Sequence, residues 1–303
     1  MLDPSAAPQA RDARAVREAR AAATSAATSA HVEVVRLAGP QEASAARDLF
    51  TRIWGRGDEP VVTAELLRVI SFVGGYVHGA RTPGAAGALV GAAVGLPTIE
   101  GRSPRAGLHS HVTGVVRRRG SGGVGYALKL DQRAWALERG LHHITWTFDP
   151  LVRRNAYFNL GKLVAEAVAY LPDFYGEMTD ELNAGQGSDR LLARWDLAAP
   201  HVAAAAAGRP HELDAARARP ALRLRADGGP EAIAWRADAP ALLVAVPADI
   251  EALRGTDPGQ ALAWRHAVRD VLGGLLADGW VCRGMAGREA YLLVPGGPGT
   301  VPR

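Results

Sequence analysis

The chain has 303 residues, 48% of them hydrophobic and 22% charged, which is typical of a globular protein with one large domain or two smaller ones. Its single cysteine, Cys282, excludes an intramolecular disulfide framework and a cysteine-rich metal site. The net charge is +4, and arginine supplies nearly all of the basic residues, since lysine occurs only at positions 129 and 162. Because the sequence has no long run of basic residues, we expect no nucleic-acid partner.

The first thirty residues are rich in alanine and contain no aromatic residue, so their burial would remove little apolar surface from water. This composition predicts a disordered or loosely helical tail over residues 1–30. The tail carries acidic residues and has no apolar segment of the kind found in secretory signals. The longest apolar run, residues 84–96, is too short and too rich in glycine to span a bilayer. We therefore expect a cytoplasmic protein with no membrane partner.

From residue 31 onward, apolar periodicity and turn residues predict strands interleaved with helices. In chain order these are a strand at 31–37, helices at 41–54 and 63–71, strands at 74–81, 87–96 and 108–116, a glycine-rich loop that opens a helix ending near Gly140, a strand at 141–149, a helix within 153–167 and a strand at 168–176.

The amino-acid composition changes near residue 197, where alanine, arginine and proline dominate. We predict a first domain at 31–198, a low-complexity linker at 199–235, and a C-terminal β-α-β-β extension at 236–303. The extension is too small to be stable alone, so we expect it to pack on the first domain. Cys282 lies in a strand-like run of this extension and is predicted to be a buried, inert thiol.

The sequence GSGGVG at residues 120–125 fits the pattern G-x-G-x-x-G, which suits a phosphate-binding turn between a strand and a helix. A P-loop is excluded, because Tyr126 and Ala127 stand where that site needs Lys and Ser/Thr. A dinucleotide site has one point in its favour, since Asp149 ends the next strand as a ribose-binding acid would. Three arginines between strand and loop, and the long strand-rich region before them, count against it. An NAD(P)-dependent oxidoreductase therefore remains a distant alternative.

The stretch HVTGVVRRRGSGGVGYALKL resembles the cofactor segment of the GNAT acyltransferase superfamily, and the resemblance covers roughly residues 31–197. In that superfamily a strand ending in Val is followed by R/Q-x-x-G-x-G/A at the start of a helix. Gly123, Val124 and Gly125 match the last three positions. The leading cation position falls on Gly120, so Arg118 or Arg119 would have to supply the charge. The stretches LHHITWTFDPLVRRNAYFNLGKL, YLPDFYG, GSDRLLARWDL and WRHAVRD resemble a group of predicted GNAT proteins of undefined substrate.

This resemblance implies an α/β fold with a GNAT-type mixed, mostly antiparallel sheet flanked by helices, followed here by the C-terminal β-α-β-β extension. It also implies an acyltransferase that uses acetyl-CoA or another acyl-CoA, with transfer to an amine of a small molecule. The residues predicted to hold the cofactor are Val115, Val116, Arg118, Arg119, Gly120, Ser121, Gly122, Gly123, Val124, Gly125, Tyr126, Asn155 and Phe158.

The general acid of the superfamily is commonly a tyrosine, but in this sequence its position falls on Leu160. Tyr157, one helical turn away, is the nearest candidate for that role, and the alternative for Tyr157 is a core aromatic. The missing tyrosine also keeps open a second function, an acyl-CoA-binding protein without transferase activity.

The sequence LHSH places His109 and His111 two residues apart on the strand that leads into the glycine loop, so two-residue periodicity puts them on one face. A neutral imidazole there could accept the proton of the attacking amine. A structural role for both histidines and a metal site remain as alternatives, but no third ligand is evident and we predict no metal. His142 and His143 are predicted to face the surface.

Asp149 could lie near the cofactor arm or cap the turn that follows its strand. Beyond the small-molecule amine, the predicted partners include a second copy of the chain in a homodimer.

Overall fold

The computed structural model describes residues 6–54, 60–84, 87–99, 106–116, 122–176, 187–209, 211 and 213–296. The chain divides into two compact units. The first unit contains Met1–Thr145 and Asp196–Gly208, and the second contains Trp146–Trp195 and Arg209–Arg303. Both units combine helices with strands that pair mostly antiparallel, so the protein is of the mixed α/β class.

The first unit consists of a sheet with helices on both of its faces. Its elements are α1 (Ala6–Ser29), β1 (Glu33–Arg36), α2 (Pro40–Trp54), α3 (Ala64–Phe72), β2 (Tyr76–Arg81), β3 (Leu89–Ile99), β4 (Ala106–Val115), α4 (Val124–Leu137), the first three residues of β5 (His143–Phe148), and α6 (Pro200–Ala206). Strands β1 to β4 are neighbours in chain order and pair antiparallel. β4 then pairs parallel with β5, from Gly107 opposite His143 to His109 opposite Thr145.

The two faces of this sheet are covered by different helices. On one face, Leu49 and Phe50 of α2 and Leu67 of α3 form a buried apolar cluster with Val94 of β3 and Val112 of β4. On the other face lies α4, since a Cβ placed on Gly91 would contact the Val124 and Leu128 side chains. The sheet therefore has a core on both sides.

The N-terminal segment forms a helix that packs on α4, which differs from the predicted disordered or loosely helical tail. Ala19 and Ala23 of α1 are buried, and Arg20 donates hydrogen bonds to Asp131 (3.0 Å) and Glu138 (2.8 Å) of α4. Alanine is the strongest helix former, and tertiary packing supplies most of a helix's stability. Composition did not indicate this packing, because each small side chain buries little apolar surface, although small side chains let two helices approach closely.

The second unit is also built on a sheet. Its elements are the remainder of β5, α5 (Arg153–Ala156), a π-helical segment (Tyr157–Lys162), β6 (Glu166–Leu171), β7 (Arg190–Asp196), β8 (Arg219–Leu224), β9 (Pro230–Ala232), β10 (Leu242–Ala245), α7 (Ile250–Thr256), α8 (Pro258–Val268), a second π-helical segment (Arg269–Gly273), α9 (Gly274–Ala277), β11 (Trp280–Ala286) and β12 (Ala290–Pro295). The strand order in this unit is β7-β6-β11-β12-β10-β8-β9, and β10 pairs with β8 in the parallel sense.

The compact units do not follow the predicted domain boundaries. The predicted linker at 199–235 contains α6, β8 and β9. From Leu242 the chain runs strand, helices, strand, strand, and β11 pairs with β6 through Cys282 opposite Ala167. The C-terminal elements thus share a unit with β6, which the prediction assigned to the first domain. Within the described part of the chain, no helix is both long and apolar enough to cross a bilayer.

Candidate functional site

The helix α4 begins at a glycine turn. Gly122 and Gly123 are exposed, and Gly123 is the N-cap with a left-handed backbone (φ 88°). The first N–H groups of a helix have no intrahelical partner and favour an anion. Gly125 lies close to the end of β4, because a Cβ on it would be 3.7 Å from the Val115 side chain. The turn thus offers backbone N–H groups to a phosphate at the point where β4 ends.

Several predicted cofactor residues lie outside the described residues, namely Arg118, Arg119, Gly120 and Ser121. Val115 and Val116 are half-buried near the end of β4, and Gly122, Gly123, Val124, Gly125 and Tyr126 form the turn and the first residues of α4.

The end of α1 lies against the glycine turn, a neighbour that the sequence did not reveal. The Ala30 Cβ is 3.4 Å from the position that a Cβ on Gly123 would take. Tyr126 donates a hydrogen bond to the Ala205 carbonyl of α6 (3.3 Å). The turn is therefore bordered by two helices of the first unit.

Strand β4 contains a bulge at His111. Gly95 of β3 pairs with Ser110 and Val94 pairs with Val112, so His111 is an extra residue on β4. Ser110 faces α4, whereas Val112 lies in the cluster with α2 and α3. Ser110 and Val112 therefore face opposite sides of the sheet, because the extra residue, His111, interrupts the alternation of side chains along β4. That His109 and His111 share one face stays a prediction.

Both histidines have a lowered pKa. Burial is the main cause for His109, and the nearby charges of His111 and Lys129 add to it. Partial burial also lowers the pKa of His111, which keeps more of its surface in solvent. The His109 Nδ1 atom is 3.1 Å from the Thr145 hydroxyl. Both imidazoles are therefore neutral at pH 7, the state in which a histidine can accept a proton.

Lys129 is a site-forming residue that the sequence analysis missed. It is fully buried on α4, donates a hydrogen bond to Ser110 Oγ (2.8 Å), and lies 3.4 Å from Gln132 Oε1. Burial lowers its pKa to about 7. A signal was present in the composition, since only two of the 35 Lys and Arg residues are lysine.

Tyr157, Asn155 and Phe158 belong to the second unit, whereas the glycine turn and both histidines belong to the first. Tyr157 is half-buried at the start of the π-helical segment, with the Arg288 guanidinium 4.5 Å from its ring centroid. Asn155 is exposed and Phe158 is half-buried. Leu160, at the position of the superfamily's tyrosine, is fully buried.

Asp149 is the centre of an ion-pair cluster in the second unit. Its carboxylate accepts two hydrogen bonds from Arg265 (2.9 and 2.8 Å), one from Arg254 (2.8 Å) and one from the Leu151 N–H (2.9 Å). Burial opposes its ionisation, but Arg265 and then Arg254 outweigh this effect and hold the pKa at about 2. Of the two roles expected for Asp149, the bond from the Leu151 N–H is the one that caps the turn. Because both carboxylate oxygens already accept bonds from arginines, Asp149 is poorly suited to bind a ribose.

Three remaining expectations concern buried side chains and metals. His143 is fully buried, contrary to its predicted surface position, because Gly107 leaves room for its ring: a Cβ there would collide with it. Cys282 is buried as predicted, and burial raises the pKa of its thiol to about 12. Among the described residues, no group of three or more His, Cys, Asp or Glu side chains could hold a metal ion.

The sequence matches no protein-family profile and no curated protein. Solved structures that the chain resembles include acetyltransferases of the GNAT superfamily. One, a putative acetyltransferase from Desulfovibrio desulfuricans, is 19% identical over 55% of this chain and 99% of its own, with a TM-score of 0.40. Another, from Salmonella typhimurium and solved with acetyl-CoA, is 15% identical over 55% of this chain and 94% of its own, with a TM-score of 0.43.

An aminoglycoside acetyltransferase from an uncultured soil metagenomic sample, solved with sisomicin, is 16% identical over 40% of this chain and 79% of its own, with a TM-score of 0.35. Likenesses of this size do not assign an activity to the chain.

Proposed function

We propose that the protein is a GNAT-type acyltransferase that transfers an acyl group from acetyl-CoA or another acyl-CoA to an amine of a small molecule. The observation that carries this proposal is a bulged strand, β4, that runs towards a helix capped by a left-handed glycine. The glycine turn offers backbone N–H groups that would bind the pyrophosphate of the cofactor. The bulge offers a backbone N–H that would bind the thioester carbonyl at the other end of the same cofactor.

The residues present fit such a cofactor. Gly122 and Gly123 are exposed and carry no side chain that would keep a phosphate from the backbone. The N–H groups of residues 122–125 would hold the pyrophosphate, with Arg118 or Arg119 as the cation. Val115 and Val116 would contact the arm, and Asn155 and Phe158 stay predicted cofactor residues.

Bound acyl-CoA supplies an acyl group already activated as a thioester. The amine nitrogen forms the new bond to the acyl carbon while the carbon–sulfur bond breaks. His111, with His109 as the alternative, accepts the proton that the nitrogen loses. A backbone N–H at the bulge donates to the carbonyl oxygen as negative charge develops on it. Tyr157 is the proposed donor of a proton to the departing thiolate.

The wider assignments are part of the same proposal. We place the protein in the cytoplasm, with a homodimer as its assembly. The elements from Leu242 to Pro295 are an addition to the transferase fold.

Two measurements on one preparation test the proposal. Calorimetric titration with acetyl-CoA, CoA and NADH should show binding of the first two and none of the third. Release of free thiol from acetyl-CoA should then accelerate with at least one member of an amine panel that includes arylalkylamines, polyamines and aminoglycosides. Binding of acetyl-CoA without thiol release for any amine favours the non-catalytic binder, and binding of NADH alone contradicts the assignment.

A further inference from the structure

A buried polar cluster lies between α4 and the bulge of β4. Lys129 and Gln132 are three residues apart on α4, so their side chains lie on one face of the helix. Lys129 donates to Ser110 Oγ at 2.8 Å, and the Gln132 Oε1 atom is 3.4 Å from the same ammonium. All three side chains are at least 95% buried. Burying polar groups is unfavourable unless they are paired, so ordinary core packing would place apolar side chains here.

This cluster meets both strands at the point where their register shifts. Ser110 and Gly95 are the last pair before the extra residue, His111. A Cβ on Gly95 would lie 3.2 Å from Gln132 Nε2 and 3.0 Å from Leu108 Cδ2, so the cluster fills the space beside the glycine. Lys129 thus holds the residue on β4 that directly precedes His111.

The choice of lysine is informative in a chain that uses arginine almost everywhere else. An arginine at 129 would remain charged and would bring five donors into a site that is fully buried. A lysine brings three donors and can lose its proton, and burial lowers the pKa of Lys129 to about 7. Its charge also contributes to lowering the pKa of His109. The side chain is therefore connected to both candidate bases.

We propose that Lys129 is a positioning residue for acyl transfer: its bond to Ser110 fixes the bulge that carries His111 and links that bulge to the helix that begins at the glycine turn. This inference rests on the proposed function. Without the bond, the bulge relaxes and His111 and the bulge N–H lose their alignment with the thioester. The glycine turn lies six residues away, about 9 Å along the helix, so cofactor binding is preserved.

The test compares Lys129→Met, Ser110→Ala and the double variant with Lys162→Met, in which the same change is made at the exposed second lysine. We expect Lys129→Met to lower kcat about 100-fold, the effect of a misplacement of about 1 Å, with acetyl-CoA affinity within about twofold of wild type. Ser110→Ala should lower kcat in the same direction. The double variant should be no slower than the slower single variant, because the Lys129–Ser110 bond is already absent once either partner is changed. Lys162→Met should behave as wild type.

A second readout follows the His109 ring by NMR. Removing the Lys129 charge should raise the pKa of His109 in Lys129→Met and leave it unchanged in Lys162→Met. It should also stay unchanged in Ser110→Ala, which breaks the same hydrogen bond but keeps the charge, whereas loosened packing would raise it in both variants. Unchanged kcat in folded Lys129→Met, strictly additive effects in the double variant, or a parallel loss of acetyl-CoA affinity overturns the inference. If Lys129→Met does not fold, Ser110→Ala decides, since it removes only a hydroxyl. Wild type that binds acetyl-CoA and acylates no amine refutes the proposed function instead.

Discussion

Each unit contains a buried ionisable group, and the two groups differ in how the unfavourable burial of their charge is relieved. In the first unit, Lys129 is buried next to a hydroxyl and an amide, and its pKa falls to about 7. In the second unit, Asp149 is surrounded by Arg254 and Arg265, and its pKa is held at about 2. A buried ionisable group either moves towards its neutral form or acquires opposite charges.

This difference in pKa distinguishes a group suited to proton transfer from a group that stabilises the fold. A group whose pKa lies near 7 can influence proton transfer at neutral pH. A carboxylate paired with two arginines stays ionised there, so it stabilises the fold and exchanges no proton. Asp189 follows the second pattern, since it binds Arg269 (2.9 Å) and Tyr170 (2.6 Å). Under the proposed function, we therefore expect the cluster around β4 of the first unit to act in proton transfer and the arginine–aspartate clusters of the second unit to stabilise the fold.

The largest expected effect on stability is that of Asp149→Asn. It leaves two buried guanidinium groups without their carboxylate, so the free energy of unfolding should fall by about 3–5 kcal/mol. Denaturant unfolding measures this loss, with Asp238→Asn as the control, because Asp238 forms only an exposed pair with Arg236. Since its pKa is depressed, Asp149 stabilises the wild type above pH 4 and progressively less towards pH 2. Equal stability of the two variants would contradict the architectural role.

His111→Ala tests the chemical side of the comparison. If His111 accepts the amine proton, turnover should fall by about 10²–10⁴-fold while acetyl-CoA affinity changes little. The rate should also decline at acidic pH with an apparent pKa below the ordinary value of about 6.5, because the base must be neutral. Thiol release and calorimetry on one preparation measure both quantities. Normal turnover in a variant destabilised by about 1–3 kcal/mol would make His111 a structural histidine.

Gly123→Ala sharpens the assignment of the cofactor turn. The left-handed backbone should make this change destabilising by about 1–2 kcal/mol, and acetyl-CoA affinity should fall about tenfold or more if a phosphate hydrogen bond is lost. Gly140→Ala is the matched control, because Gly140 also has a positive φ (69°) and open space around it, at the other end of α4. Equal acetyl-CoA affinity in both folded variants would remove the turn from the cofactor site.

The smallest expected effect is that of Arg20→Met on α1. The variant loses the partly exposed pairs with Asp131 and Glu138, so the free energy of unfolding should fall by up to about 1 kcal/mol. Arg14→Met, which breaks only an exposed pair within α1, should change stability by less than about 0.5 kcal/mol. Thermal unfolding distinguishes them. If both variants match wild type, Arg20 does not anchor α1 to α4.

Local periodicity was sufficient to predict the strands and helices around the candidate site. The order from β4 through the glycine turn to α4 follows from alternating apolar residues, glycines and a helical apolar stripe. The bulge could not be predicted, because an inserted residue in β4 leaves the apolar pattern of its sequence unchanged. It becomes visible only in the pairing with β3, a contact between strands.

The burial of particular side chains was equally hidden from the sequence. His143 is buried because Gly107, on a neighbouring strand, leaves space for it. Lys129 was not among the predicted site residues, although the scarcity of lysine in the chain was a usable signal. The packing of helix α1 was also hidden, because α1 lies against α4, more than a hundred residues away along the chain, where Arg20 pairs with Asp131 and Glu138.

A crystal structure with bound acetyl-CoA tests the central claim most directly. The account predicts the pyrophosphate on the backbone N–H groups of residues 122–125, and the thioester beside the bulge with the His111 ring within reach of the acyl carbon. A cofactor bound elsewhere on the molecule, or a thioester directed away from β4, would contradict the account.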